Sequence, residues 1–172
     1  MTMVLIVSDS HGWKDELQYL KHKHSAVDVM IHCGDSELMA DDDAINGFVT
    51  VRGNCDYEKG FPVDTVIDVA DRKIFVTHGH LYNVKSSLMG LGYRAKEVSA
   101  DIVCYGHSHL LGIEMVEDIL FINPGSIRLP RGRHEHTYVL LDIKNHLIEA
   151  NVYDLQKGEI RALRQQFPLP QQ

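Results

Sequence analysis

Two imidazoles stand two residues apart in Val103-Cys104-Tyr105-Gly106-His107-Ser108-His109, just past an apolar run and a glycine. In nearly extended chain a side-chain period of two sets His107 and His109 on one side, with Cα atoms roughly 6 to 7 Å apart. That is close enough to serve one metal or two adjacent metals. The pair taken alone is equally compatible with two hydrogen-bonded surface histidines. The case for a metal comes from recurrence, because Asp9 with His11, Asp35, Asn54 and His78 also follow short apolar runs. Any one of them has an ordinary explanation; Asp9, for instance, suits a turn or a helix cap. Together they form a set of imidazole, carboxylate and one amide oxygen, borderline to hard donors that fit Mn, Fe, Co, Ni or Zn. Seven ligands exceed the needs of one ion and suit two ions about 3.5 to 4 Å apart sharing a carboxylate.

Such a set works only if distant stretches of chain end at one place. Residues 3–7, 27–31, 48–51, 63–69, 73–77 and 102–105 read as strands, most of them short, apolar and buried. Later come 111–115, 119–122, 138–143 and 147–153, whose spacing suggests hairpins. Helices are expected over 14–21, over the acidic stretch 37–45, and from an Asn83 cap through Val84, Leu88, Leu91, Ala95 and Val98. Parallel strands first and antiparallel ones later imply two mixed sheets packed face to face and flanked by helices. This is a four-layer α/β/β/α sandwich. Loops from one edge of two sheets about 10 Å apart can converge on a small volume. The basic loop 128–136 is expected to be mobile, and the tail from about residue 166 to fray.

Composition narrows the classes of function. A chain of 172 residues suits a single domain over 1–172, and 44% hydrophobic with 24% charged residues is ordinary for a soluble protein. No apolar run approaches the roughly 20 residues of a membrane span, and residues 1–7 lack the marks of a signal peptide. A cytoplasmic protein with three reduced cysteines is therefore expected. The formal charge of −7 argues against an extended nucleic-acid groove. Phosphate chemistry would need a local positive source. Of the 11 histidines, His22, His24, His134, His136 and His146 fall in polar stretches and are expected to face solvent.

In order, Asp9-Ser10-His11, Gly34-Asp35, Gly53-Asn54, His78 and Gly106-His107-Ser108-His109 resemble the signature of the calcineurin-like metallophosphoesterases. The resemblance covers residues 3–153, and the stretches 53–56 and 123–126 are similar to the small phosphodiesterases of the YfcE type. It implies two divalent metal ions per chain, manganese first among the candidates. One would be held by Asp9, His11 and His109, the other by Asn54, His78 and His107, with Asp35 bridging. Two such ions carry +4, of which Asp9, Asp35 and a bridging hydroxide offset three. That leaves the positive surplus an anionic substrate requires. The implied activity is hydrolysis of a small phosphodiester by the bridging hydroxide.

One departure bears on that activity. Many members of the family carry histidine directly after the third-motif asparagine as a candidate general acid, and this chain has Cys55. A thiol with a pKa near 8.5 suits that work poorly, so activated esters should be better substrates than unactivated ones. His80 is placed either near substrate or as a loop-holding residue, and Asp56 either orients a ligand or closes its turn. Ser126, in the Asn123-Pro124-Gly125-Ser126 turn, either faces a phosphate oxygen or serves the turn itself. The competing functions are a phosphomonoesterase or nuclease on the same site, and a non-catalytic metal-binding interaction scaffold such as the related retromer subunit.

Overall fold

The computed structural model describes residues 1–169. Strand β1 (Thr2–Val7) runs through the middle of the first sheet, and its burial follows from its sequence, with Val4, Leu5, Ile6 and Val7 all out of contact with solvent. It pairs in parallel with β2 (Val29–His32), which pairs in parallel with β3 (Phe48–Thr50). The second sheet opens with the hairpin of β4 (Asp64–Val69) and β5 (Arg72–Thr77), and β5 continues in parallel with β6 (Ile102–Cys104). β7 (Gly112–Val116) and β8 (Ile119–Asn123) close that sheet in the order β4-β5-β6-β8-β7. The chain then returns to the first sheet with β9 (Thr137–Ile143), antiparallel to β1, and β10 (Leu147–Asp154). β10 also carries the short β11 (Gly158–Glu159) and β12 (Gln165–Pro168).

The period of two decides which residue joins which layer. Val4 and Ile6 face inward and meet Ile74, Val76, Ile102, Cys104, Leu120 and Ile122 of the second sheet. Leu5 and Val7 face the other way, against Leu17 and Leu20 of α1 (Lys14–Lys23). On the far side Phe75, Val103 and Phe121 pack against Leu91 and Ala95 of α2 (Met89–Glu97). The layers are thus helix, sheet, sheet, helix, as expected. Burying each Leu, Ile or Phe contributes about 1.5–3 kcal/mol, so the inter-sheet face is the main source of stability. Helix α1 adds Asp15 and Glu16 in its first turn and Lys21, His22 and Lys23 in its last, matching the helix dipole.

Several local expectations fail. The acidic stretch 37–45 forms turns instead of a helix, because Glu37 sits in left-handed backbone and Asp42 spends its carboxylate on the Ala44 amide. Asn83 does not cap α2; it is itself left-handed, ends a short 3-10 turn over His80–Tyr82, and α2 begins six residues later. The tail is held through residue 169, with β12 paired to β10 and Leu169 buried in the core. Residues 170–172 of that expectation lie outside the described residues. The loop 128–136 is tied down rather than free. The Arg131 amide donates to the His109 carbonyl at 3.0 Å, and His136 Nδ1 donates to the Ile127 carbonyl at 2.7 Å. His24 likewise is engaged, bonding the Tyr138 hydroxyl at 2.8 Å.

Candidate metal centre

The carboxyl ends of β1, β2, β3, β5 and β6 point to one edge of the sandwich, and their loops are laced together there. The Asp9, His11 and Gly12 amides donate to the carbonyls of Gly34, Asp35 and Ser36 at 3.0, 3.0 and 2.8 Å. The Gly106 amide donates to the His78 carbonyl at 2.9 Å, joining the two loops of the second sheet. Gly34 is required by its own geometry. Its φ is +101°, and a Cβ there would lie 2.7 Å from Nδ1 of His78.

The ligand-bearing backbone is not extended. Asp9, His11, Asp35, Glu37, His107 and His109 all have φ between +43° and +71°. Left-handed backbone costs about 1–2 kcal/mol for a residue with a Cβ and collects where a site demands it. The consequence is that His107 and His109 diverge instead of sharing one side. His109 Nε2 lies 3.1 Å from Asp9 Oδ1, whereas the His107 ring packs 5.1 Å from His78 and 6.1 Å from His80, centroid to centroid.

Asp9 is the hub. It is fully buried; its Oδ2 accepts from the Ser8 hydroxyl at 2.5 Å and the His107 amide at 3.1 Å. Its Oδ1 accepts no hydrogen bond, yet His109, His11 and His78 present Nε2 to it at 3.1, 3.7 and 3.8 Å. The tautomers of these rings follow from their other nitrogens. His109 Nδ1 faces the Leu129 carbonyl and His78 Nδ1 the Cys33 carbonyl, both at 2.8 Å, and His11 Nδ1 faces Glu37 Oε2 at 2.9 Å. Oxygens of these kinds only accept, so each Nδ1 holds the proton and each Nε2 is left with a lone pair. Three lone pairs and a carboxylate oxygen thus meet in a buried spot. Asp35 Oδ2 joins them 3.2 Å from His78 Nε2, without hydrogen-bond alignment, while its Oδ1 accepts from the Cys55 amide at 2.8 Å. Without a cation the arrangement is held by imidazolium formation.

The ionisation of the cluster reflects that tension. Burial alone would push the Asp9 carboxyl up, but the close imidazoles of His109 and His11 and the charge of His78 outweigh it and hold Asp9 well below the usual carboxylate range. The neighbouring Asp9 carboxylate raises His11 to about 9 against the opposing effect of burial, with Glu37 helping. Burial also works against His78, yet Asp35 and Asp9 raise it overall, and Asp35 is lowered mainly by His78 in spite of its own burial. Outside the cluster the direction reverses. His107 falls to about 4 through burial and the charges of His78 and Lys85, and His80 is lowered by burial and His78.

Three ligand groups have donor atoms within 4.8 Å of one another: Asp9, His11 and His109; Asp9, Asp35 and His78; and His11, Asp35 and Cys55. Five of the seven residues singled out from the sequence therefore meet directly. His107 meets His78 edge to face, and Asn54 stands exposed at its loop tip, touching Cys55 Sγ at 3.5 Å. The residues fit a divalent metal centre, for buried lone pairs with nothing to accept from are the mark of an absent cation.

The supporting residues divide differently than their types suggested. Asp56 accepts from the amides of Asp35, Gly53 and Glu37 at 2.9, 2.7 and 2.8 Å, so it clasps two ligand loops together. Ser126 is fully buried; it donates to the Asp9 carbonyl at 2.8 Å and accepts from the Leu129 amide at 2.8 Å, which removes it from substrate. His80 does not hold its loop by its ring, whose buried Nδ1 has no partner. Glu37 was not foreseen, since its motif spacing is unremarkable. Neither was Arg128, which donates to the His11 carbonyl with its guanidinium 5.8 Å from the Trp13 ring centre.

Layered sheets with buried acidic and imidazole donors gathered at one loop edge define a metal-dependent hydrolase architecture. Residues 2–146 match the calcineurin-like phosphoesterase superfamily domain, and the chain belongs to that family. It is 46% identical over 167 residues to a probable metallophosphoesterase, YsnB, of Bacillus subtilis, covering 96% of this chain and 99% of the relative. A predicted phosphoesterase from Streptococcus pneumoniae superposes with a TM-score of 0.92 at 32% identity, covering 97% of each chain. Phosphodiesterase YfcE of Escherichia coli is 33% identical over 102 residues, which is 55% of this chain and 52% of that protein. The family makes this chain a phosphoric ester hydrolase that uses divalent metal, and among the described residues no helix is long and apolar enough to cross a membrane.

Proposed function

We propose that this protein is a phosphodiesterase with a dinuclear centre, one ion held by Asp9, His11 and His109, the other by Asn54, His78 and His107, with Asp35 shared. The observation that carries the reading is the meeting of three Nε2 lone pairs and two carboxylates in a buried volume. A pair of divalent ions, manganese first, would supply an ionised water for attack on phosphorus and offset the charge building on the phosphate oxygens. The chain's own part is to hold the donors in place. Glu37 and the Leu129 and Cys33 carbonyls fix the three rings, and Asp56 fixes the loops carrying Asp35 and Asn54.

The name of the YfcE relative supports a diester rather than a monoester. Cys55 lies beside Asp35, and burial followed by that negative charge pushes its thiol up to about 11. A group so weakly acidic gives little help to a departing alkoxide at neutral pH. Diesters with good leaving groups are therefore the substrates expected to turn over fastest. Three free thiols fit a reducing compartment such as the cytoplasm.

The test is metal analysis of protein purified without added ions, followed by turnover of bis-p-nitrophenyl phosphate and p-nitrophenyl phosphate across a metal series. Two ions per chain and a preference for the diester are expected. A preference for the monoester would make it a phosphomonoesterase. No bound metal and no Mn²⁺-dependent turnover would leave the scaffold reading.

A further inference from the structure

A pocket of about 430 Å³ adjoins the loop that carries His107 and His109, with Ser108, the residue between them, in its lining. Its size falls in the range that encloses small organic ligands. Leu88, Leu110 and Leu111 make part of its wall apolar. Tyr105 lies in the same wall, 7% exposed, and its hydroxyl has no hydrogen-bond partner among the described residues.

The rim carries charge. Lys85 and Arg131 both line the pocket, and neither forms an ion pair among the described residues. Glu114 also faces the pocket, so the lining carries two cations against one anion. Arg131 is coupled to the centre by its backbone, whose amide donates to the carbonyl of His109. Two cations without a carboxylate partner beside an apolar wall and a hydroxyl free to bond suit an organic ligand with its own negative charge.

Building on the phosphodiesterase reading, we propose that this pocket binds one organic arm of the substrate, and that Lys85 and Arg131 select an arm bearing a second anionic group, such as a further phosphate. The substrate class is thereby narrowed from any phosphodiester to one with two anionic centres separated by a body the size of a nucleoside. Lys85 and Arg131 act as specificity residues; Tyr105 supplies a hydrogen bond to the arm between them.

The experiment compares thymidine 3′,5′-bisphosphate with thymidine 5′-monophosphate as calorimetric ligands of the Mn²⁺-loaded protein. The wild type should bind the bisphosphate about tenfold more tightly, as two facing cations at contact range allow in water. In the double variant Lys85→Gln, Arg131→Gln the ratio of the two affinities should fall to within about twofold, and in Lys85→Arg it should persist. Both side chains are exposed, so the folded state is not at risk. A wild-type ratio below about twofold, or a ratio that survives the double substitution, overturns the proposal. Turnover of bis-p-nitrophenyl phosphate by the same preparation reports separately on the hydrolytic reading, because its arms carry no added charge and the binding ratio does not depend on turnover.

Discussion

Loading the centre with Mn²⁺ at pH 7.5 should release at least one proton per chain. His11 is raised to about 9 by the Asp9 carboxylate beside it, so at pH 7.5 most of the metal-free protein carries that ring as imidazolium. Binding requires its Nε2 lone pair, so the proton must leave. The sign follows directly. Below pH 9 each unit of acidification costs about 1.4 kcal/mol per displaced proton, a tenfold loss of apparent affinity; above pH 9 the loss levels off. Ordinary histidines near 6.5 would give a flat affinity from pH 7.5 upward instead. Calorimetric titration with Mn²⁺ in two buffers of different ionisation enthalpy, repeated from pH 7 to 9.5, measures both proton count and slope. A flat affinity between pH 7.5 and 8.5, with fewer than about 0.3 protons released, would refute the claim that Asp9 keeps the empty cluster protonated.

Three further outcomes are expected. Asp35→Ala should lower bound metal from the proposed two ions to one or none, because Asp35 is the proposed shared ligand, whereas His109→Ala should retain close to one; elemental analysis per chain decides. Gly53→Ala should destabilise the protein by about 2–4 kcal/mol, since its Cβ would lie 2.0 Å from Asp35 Oδ1 and 2.7 Å from the Asp35 amide nitrogen. Gly12→Ala, with open space but a φ of +86°, should cost only about 1 kcal/mol, and equal shifts in thermal midpoint for the two would contradict the crowding argument. Finally, Cys55→His should raise turnover of unactivated diesters relative to p-nitrophenyl diesters by about tenfold or more, as an imidazole titrating near neutrality protonates a leaving group better than a thiol near 11. An unchanged ratio would mean that position 55 does not meet the leaving group.

What the sequence made legible follows the range over which each interaction acts. Strands such as Thr2–Val7 and Ile102–Cys104 announce themselves because burial on both faces imposes an unbroken apolar run, and their ends fall within a residue or two of the expected ones. The ligands were legible as types placed after those runs. Their backbone was not, since the left-handed φ of Asp9, His11, His107 and His109 is imposed by loop-to-loop bonds such as Asp9 amide to Gly34 carbonyl, which have no local signature. The same reason hides the clasp made by Asp56 and the ring support from Glu37. Helical expectations failed where a polar side chain had a closer partner, as Asp42 did with the Ala44 amide.

The left-handed loops and the silent lone pairs have one cause. A site that holds divalent metal needs its donors to face one another at distances where, without the metal, they repel. Local backbone preference opposes that placement, at about 1–2 kcal/mol for each left-handed residue, and so does the crowding of Asp9 with three imidazoles. The opposing force comes from outside the site, from strands buried between the sheets and from Asp56, Ser126 and the paired carbonyls that fix the loops. Protonation of His11 relieves the repulsion in metal-free protein, and metal replaces that proton on binding. Proton release on metal binding is therefore the measurable form of the strain that the fold maintains.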